Sequence, residues 1–388
     1  VRSKLLSVLI AALSFALFIG VLEAGVRIFV PKALWRFRDP TLDWRRDPVL
    51  GWVNRPDLDV YERSGAGWMV HYRTNPDGLV PADARPGPNP ETFRLMVVGD
   101  SMVVGRQVPQ DLIYTARLEA LLRERGVPAE VINAGVQGYS TDQALLWMER
   151  LLPLYQPDAV AYGSTLNDFG GNSSREAYRQ TKPMFVLENG RLRLIEPEIQ
   201  EGIHRVGRGL RSLIQNSAFY RMIQPRLFSL RARIFGDWRE RNLLGFMQAA
   251  YLDPTVLDDL DWDLYGALLS RMQSRARAHR ADFFFFSHPE IGETWKPYIE
   301  SMRTHLSVPA AYDRHAVEKR VRAAAERAGV DFVGTIDYFV ANQERGPFHL
   351  LPTDPHLSAA GHELLAEELA NYVMAQVLPR LKRREAWR

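Results

Sequence analysis

Four short segments carry residue types that together could run acyl transfer. They read Gly99-Asp100-Ser101-Met102, Asn133-Ala134-Gly135-Val136-Gln137-Gly138, Gly163-Ser164-Thr165-Leu166-Asn167-Asp168 and Asp354-Pro355-His356-Leu357. Cleaving an ester needs a hydroxyl made nucleophilic by a neighbouring base. It also needs donors aimed at the oxygen that turns negative in the tetrahedral intermediate. Ser101 supplies a hydroxyl and a backbone N–H, Gly138 a backbone N–H unshielded by a side chain, and Asn167 an amide donor. His356 can take the serine proton, and a carboxylate can hold its tautomer. Asp354 is the nearest carboxylate. Pro355 pushes it toward extended geometry, where residues two apart point to the same side.

Residues so far apart in sequence need a frame that brings them together. Short apolar runs at 93–98, 130–133, 159–163, 282–287 and 330–336 read as buried strands. Helical patterns at 112–125, 142–152, 264–278, 316–328 and 362–377 fill the intervals. Alternation of this kind predicts a parallel sheet covered by helices on both faces. In such sheets functional groups gather beyond the carboxyl ends of the strands, where the first three segments fall. The fourth segment follows the fifth strand and precedes the last helix.

These segments resemble the four blocks of the SGNH/GDSL hydrolase family, named for its Ser, Gly, Asn and His. The resemblance runs from about Phe93 to Val377, less an insertion. It implies a flavodoxin-like three-layer sandwich with Ser101 as nucleophile and His356 as base. Ser101 N–H, Gly138 and Asn167 would then form the oxyanion hole. Leu50-Gly51-Trp52, Asn75-Pro76-Asp77-Gly78-Leu79 and Pro157-Asp158 are similar to the bacterial membrane-anchored members. Two positions depart from the family pattern. Met102 replaces a leucine, which conserves volume. The family's acid commonly lies three residues before the histidine, where this chain has Thr353; Asp354, at the shorter spacing of some polysaccharide-acetylating relatives, is the acid expected here.

Other histidines and carboxylates near these blocks have plainer uses. Asp100 and Asp168 can hydrogen-bond neighbouring loop backbone. His288, at the end of the fourth strand, is a candidate substrate contact, with a structural role the stronger reading. His362 lies within the last helix and reads as structural. No spaced metal-binding cluster is present, so neither metal nor cofactor is expected.

Composition narrows the function classes. With 46% apolar and 24% charged residues the chain is globular rather than disordered. A formal net charge of +3 without a recognisable module argues against nucleic-acid binding. The absence of cysteine removes disulfides, thiolate metal sites and thiol nucleophiles.

The remaining regions concern placement. Leu5 to Leu22 is an eighteen-residue run without a charge, about 27 Å long as a helix, which fits a transmembrane anchor within residues 1–30. Arginines after the run would keep the large domain in the cytoplasm, but long domains are exported largely regardless of such charges. The resemblance implies a single-pass bacterial inner-membrane protein with its catalytic domain in the periplasm or outside. Residues 31–92, rich in proline, read as a juxtamembrane linker. Their Trp35, Phe37, Trp44 and Trp52 suit either a membrane interface or packing on the main domain. The hydrolase-like domain spans 93–380, with an insertion at about 169–261. Within it Asn189-Gly190 signals a hairpin, and scattered arginines make a basic face that is either solvated or membrane-apposed.

Three functions stay open at this level. The first is a serine esterase removing an acyl group, acetyl foremost, from a glycan or small ester. The second is an O-acyltransferase acetylating a cell-surface polysaccharide, and the third a non-catalytic membrane-anchored scaffold. A scaffold has no need of the Ser, Gly, Asn and His together. Oligomeric state is not legible.

Overall fold

The structure is a computed structural model. It describes residues 2–30, 43–64, 68–178, 180–197, 217–220, 222–223, 250, 254–295, 300, 312–350 and 354–385. The chain opens with helix α1 (Arg2–Phe29). Two antiparallel pairs follow, β1 (Trp44–Asp47) with β2 (Gly51–Asn54) and β3 (Asp59–Arg63) with β4 (Met69–Arg73). Next come β5 (Phe93–Gly99), α2 (Ser101–Val104), α3 (Tyr114–Glu124), β6 (Ala129–Gly135), α4 (Thr141–Tyr155), β7 (Ala159–Ser164) and α5 (Asn167–Asn172). Two small hairpins pair β8 (Glu176–Ala177) with β9 (Gln180–Thr181), and β10 (Met184–Glu188) with β11 (Arg191–Ile195). The fold is completed by α6 (Trp262–Ala278), β12 (Asp282–Ser287), α7 (Ile291–Thr294), α8 (Ala316–Ala328), β13 (Asp331–Val333) and α9 (Ile336–Ala341). Finally α10 (Ala359–Tyr372) runs through a wide turn at 373–377 into α11 (Leu378–Glu385).

Five strands form one parallel sheet in the order β13-β12-β7-β5-β6. Counted in sheet order of appearance this is 2-1-3-4-5, the doubly wound arrangement of flavodoxin type. Its direction reverses beside β5, between β6 and β7, and crevices at such a reversal are where ligands bind. Side chains alternate across the sheet. Met96, Val98, Ile132, Val160, Phe283 and Phe285 pack toward α4, α6 and α8. Leu95, Val97, Val131, Ala161, Phe284 and Phe286 pack toward α3 and α10. The four consecutive phenylalanines of β12 thus feed both cores. Truncating a fully buried one such as Phe285 to alanine costs about 3–5 kcal/mol.

The region from 43 to 92 is not a linker. Trp44, Leu50, Trp52, Val53, Leu79 and Ala84 are buried in the α4-side core. The described prolines, from Pro48 to Pro90, all lie outside the strands, in the turns and connections between them. Arg94, 2% exposed, fastens the turn at 85–87. Its guanidinium donates to Arg85 O at 2.7 Å and to Gly87 O, and pairs with Glu130 at 2.7 Å. The expected insertion is also joined to the domain where it is described. Lys182 makes a fully buried ion pair with Asp142 of α4 at 2.6 Å. The same ammonium donates to Gly171 O at 2.9 Å and Ser174 O at 3.2 Å. Phe185 is buried in the main core. Trp35, Phe37 and the arginines of the expected basic face, Arg205, Arg208, Arg211, Arg221, Arg226, Arg231 and Arg233, lie outside the described residues.

Among the described residues no helix is long and apolar enough to cross a membrane. Within α1 the side chains at 2–5, 8, 9 and 12 lie outside the described residues. Those that are described include exposed Leu6, Ile10, Leu13, Phe15, Leu17, Phe18 and Val21. Near its end Glu23 accepts hydrogen bonds from Ser217 Oγ at 2.7 Å and from the N–H groups of Ala218 and Phe219 at 2.9 and 3.0 Å.

Candidate active site

Sheet register delivers the first three blocks to one level. Gly99 of β5 pairs with Gly135 of β6 on one side and Gly163 of β7 on the other. All three strands end there, and their loops leave side by side. The glycines let α2 settle onto the sheet edge: a Cβ on Gly135 would lie 2.7 Å from Val104 N, and one on Gly99 would lie 2.6 Å from Gly163 O. In α2, Met102, Val103 and Val104 are buried while Ser101 is only half-buried. The serine therefore sits at the exposed start of a helix whose other face is fixed in the core.

His356 reaches Ser101 from the segment before α10. That segment is held by Leu350 N–H donating to His356 O at 2.9 Å and Asp354 N–H donating to Leu350 O at 3.1 Å. Ser358 caps α10 by accepting from Gly361 N–H at 3.2 Å. His356 Nε2 lies 2.9 Å from Ser101 Oγ, and Nδ1 lies 2.5 Å from Asp354 Oδ1. The same Oδ1 accepts the backbone N–H of His356 at 3.0 Å. An ionised Asp354 can only accept, so Nδ1 carries a proton and Nε2 is free to accept the serine hydroxyl.

Electrostatics agree with that arrangement. Burial opposes the charged imidazolium of His356, but the bond to Asp354 outweighs it, and the pKa stands above the ordinary histidine value. The charges of Asp100 and Glu290 add in the same direction. Burial likewise works against an ionised Asp354, yet His356 brings its pKa below the usual carboxylate range.

Asn167 begins α5 and is exposed. Its Nδ2 donates to Asp100 Oδ2 at 3.1 Å, and its Oδ1 accepts from Thr165 Oγ1. Asp100 Oδ1 meanwhile accepts Met102 N–H at 2.9 Å. Asp168 Oδ2 accepts from Tyr162 OH at 2.6 Å, Thr165 N–H at 2.9 Å and Ser164 Oγ at 3.1 Å. Both carboxylates thus serve the loops, as the sequence suggests. Burial first, and the Asp100 charge second, hold the Asp168 carboxyl well above its usual range. Gly138, in the loop after β6, has φ +79°, a left-handed conformation that favours glycine.

The expectation of His288 as a substrate contact is corrected. It is 1% exposed, with its ring against Tyr114 and Phe286. Its N–H donates to Ser164 O at 2.9 Å, and burial pulls its pKa down to about 3. His362 is buried too, and its Nδ1 accepts Tyr114 N–H at 3.3 Å. Among the described residues no group of histidines and carboxylates could hold a metal ion.

Three supports escape the sequence. Glu290, buried before α7, accepts the N–H of Leu166 beside Asn167, and burial pushes its pKa up to about 7. Trp52 Nε1 donates to Gln137 O at 3.0 Å, and Tyr139 OH donates to Trp52 O at 2.5 Å, so an early strand pins the Gly138 loop. Tyr178 rests on Gly138. Of these only Trp52 is singled out by the sequence, among aromatics that suit either a membrane interface or packing on the main domain.

Parts of the chain resemble known proteins. An arylesterase of Vibrio mimicus is 33% identical over 75 residues, which is 19% of this chain and 38% of that relative's length. Solved structures aligned to the chain include the acetyl xylan esterase AlAXEase, at 14% identity over 72% of this chain and 99% of the other, with a TM-score of 0.39. The psychrotrophic esterase EstA from a Pseudoalteromonas species aligns at 11% identity over 74% and 98%, with a TM-score of 0.35. Neither structural likeness is close enough to carry an argument about the site. Residues 97–364, from the end of β5 into α10, match the GDSL-like Lipase/Acylhydrolase family, and it is to this family that the chain belongs.

Proposed function

We propose that this chain is a serine ester hydrolase that removes short acyl groups, acetyl among them, through an acyl-serine at Ser101. His356 Nε2 takes the hydroxyl proton as Ser101 Oγ adds to the ester carbonyl. Ser101 N–H, Gly138 N–H and Asn167 Nδ2 donate to the resulting oxyanion. The carbon–oxygen bond to the alcohol then breaks, and the alcohol leaves with the proton from His356. Water repeats the sequence in reverse and releases the acid. Asp354 holds the imidazole and its positive charge throughout. The observation that carries this reading is the continuous contact Asp354–His356–Ser101 at 2.5 and 2.9 Å.

The arylesterase relative recommends an aryl acetate as first probe. Purified protein should release p-nitrophenol from p-nitrophenyl acetate, and Ser101→Ala should lower kcat by about 10⁴-fold or more. If no p-nitrophenol appears and a fluorophosphonate fails to label Ser101, the reading is wrong.

The charge-free run Leu5–Leu22 and the exposed apolar side chains of α1 support a second part of the proposal. In it α1 anchors the domain to a membrane, with the hydrolase on the periplasmic or outer side. Alkaline phosphatase fused after Arg388 should be active in a bacterial host; an inactive fusion, with a fluorescent cytoplasmic reporter at the same site, would refute it.

A further inference from the structure

Where β12 leaves the sheet, three consecutive residues bond to three different parts of the fold. His288 N–H donates to Ser164 O at 2.9 Å, which keeps the chain paired with the end of β7. Pro289 O accepts from His349 Nε2 at 2.9 Å. A carbonyl can only accept, so that nitrogen carries the proton. Glu290 is 6% exposed, and its carboxylate accepts the N–H of Leu166.

The last two bonds reach opposite halves of the candidate site. His349 lies on the segment paired with the one that carries the base. It bridges to Leu357, and Leu350 N–H donates to His356 O at 2.9 Å. Leu166 directly precedes Asn167, the candidate oxyanion donor. It is buried at the start of α5, where a backbone N–H has no carbonyl of its own helix to bond. Without Glu290 that donor would be left buried and unpaired, which folded chains rarely tolerate. Glu290 is itself held firmly. Its N–H donates to Glu293 Oε2 at 2.7 Å, and Glu293 N–H donates back to Glu290 O at 3.0 Å.

We propose that Glu290 is a positioning residue for the ester-cleaving reaction: it fixes the backbone from which Asn167 presents its amide to the oxyanion. Asp100 holds the Asn167 side chain, and Glu290 holds the main chain just before it. Glu290 thus acts through Asn167, not on the ester. A donor fixed beforehand needs no reorganisation as charge develops, so the benefit falls on the transition state and on kcat. The inference rests on the ester-cleaving reading above and names what steadies its oxyanion donor.

The test is a mutant cycle on p-nitrophenyl acetate, run above the titration of His356 and with Ser101→Ala subtracted as background. Glu290→Gln and Glu290→Leu both remove the charge and nearly keep the buried volume, but only glutamine keeps an oxygen for Leu166 N–H. Their ratio of kcat therefore reads that one bond. It should be about tenfold in favour of glutamine, within the coupling that contacting residues show, with KM values within about twofold of each other. In an Asn167→Ala background the ratio should fall to about one. A ratio that stays about tenfold without Asn167 would mean that Glu290 supports the fold or His356 instead, and would overturn the inference. A ratio of about one with Asn167 in place would overturn it too, as would a difference carried by KM. Circular dichroism checks each fold; if the leucine variant does not fold, Glu290→Ala, which also lacks the acceptor, takes its place. Wild type that releases no p-nitrophenol removes the hydrolase reading and this inference together, whereas an active wild type with an additive cycle removes this inference alone.

Discussion

Replacing Asp354 separates two duties that one carboxylate performs. Its Oδ1 accepts both the ring Nδ1–H and the backbone N–H of His356. In Asp354→Asn the amide oxygen can take that same position and keep both bonds, leaving the amide nitrogen where Oδ2 was. The tautomer then survives and only the charge is lost. Opposite charges about 4 Å apart at an effective dielectric of about 20 attract by about 4 kcal/mol. With the Asp354 side chain 25% exposed, solvent screening reduces that figure, so about 2–4 kcal/mol is a fair span. At 1.36 kcal/mol per decade this is a loss of about 30-fold to 10³-fold in acylation rate. Asp354→Ala removes the tautomer restraint as well, and its loss should approach about 10⁴-fold. Stopped-flow release of p-nitrophenol reads acylation, and circular dichroism checks the fold. Asparagine as damaging as alanine would refute the shared-oxygen argument. Near-normal rates in both would show that another group orients His356.

Three further outcomes are expected. In the pH profile of kcat/KM, activity should rise as His356 loses its proton, with a midpoint above the ordinary 6.5 or so of histidine; Asp354→Asn should move that limb to lower pH, and an unmoved limb would contradict the pairing. Asn167→Ala should cost about 10²–10³ in kcat with a smaller change in KM, as loss of one oxyanion donor does, and equal loss in substrate affinity would argue against the role. Lys182→Met leaves the Asp142 carboxylate buried without its partner, so urea unfolding should show a loss of about 3–5 kcal/mol, largely recovered by adding Asp142→Leu; a single variant within 1 kcal/mol or so of wild type would refute this.

The sheet was legible because its strands are buried on both faces and read as unbroken apolar runs. Phe93–Gly99, Ala159–Ser164 and Asp282–Ser287 fall within a residue or so of expectation, and the hairpin at Asn189-Gly190 closes in the register Glu188 to Arg191. The strand expected at 330–336 is shorter, because Ile336 already begins α9. What was not legible depends on contacts far apart in sequence. Proline density at 76–90 reads as a linker, since no local pattern reveals that Arg94 will collect its carbonyls. The hairpins holding Trp44 and Trp52 are four-residue strands, too short for a period to show. Glu290 and Lys182 look like surface charges until Leu166 N–H and Asp142 are placed beside them.

Of the groups near Ser101, Asp100 poses the sharpest physical question, because a carboxylate there faces a developing oxyanion of like charge. Its geometry offers an answer. One oxygen is engaged by Met102 N–H at 2.9 Å and the other by Asn167 Nδ2 at 3.1 Å. Those donors spread and screen the charge, while burial raises the pKa and makes its full ionisation costly. In return one rigid group ties the helix bearing Ser101 to the loop bearing Asn167. Asn167 is exposed and would otherwise sample several rotamers. With one amide hydrogen committed to Asp100, the second is left at a fixed angle, and a donor fixed beforehand costs no reorganisation when charge develops. The aspartate beside the nucleophile therefore acts best as a hinge pin between two donors.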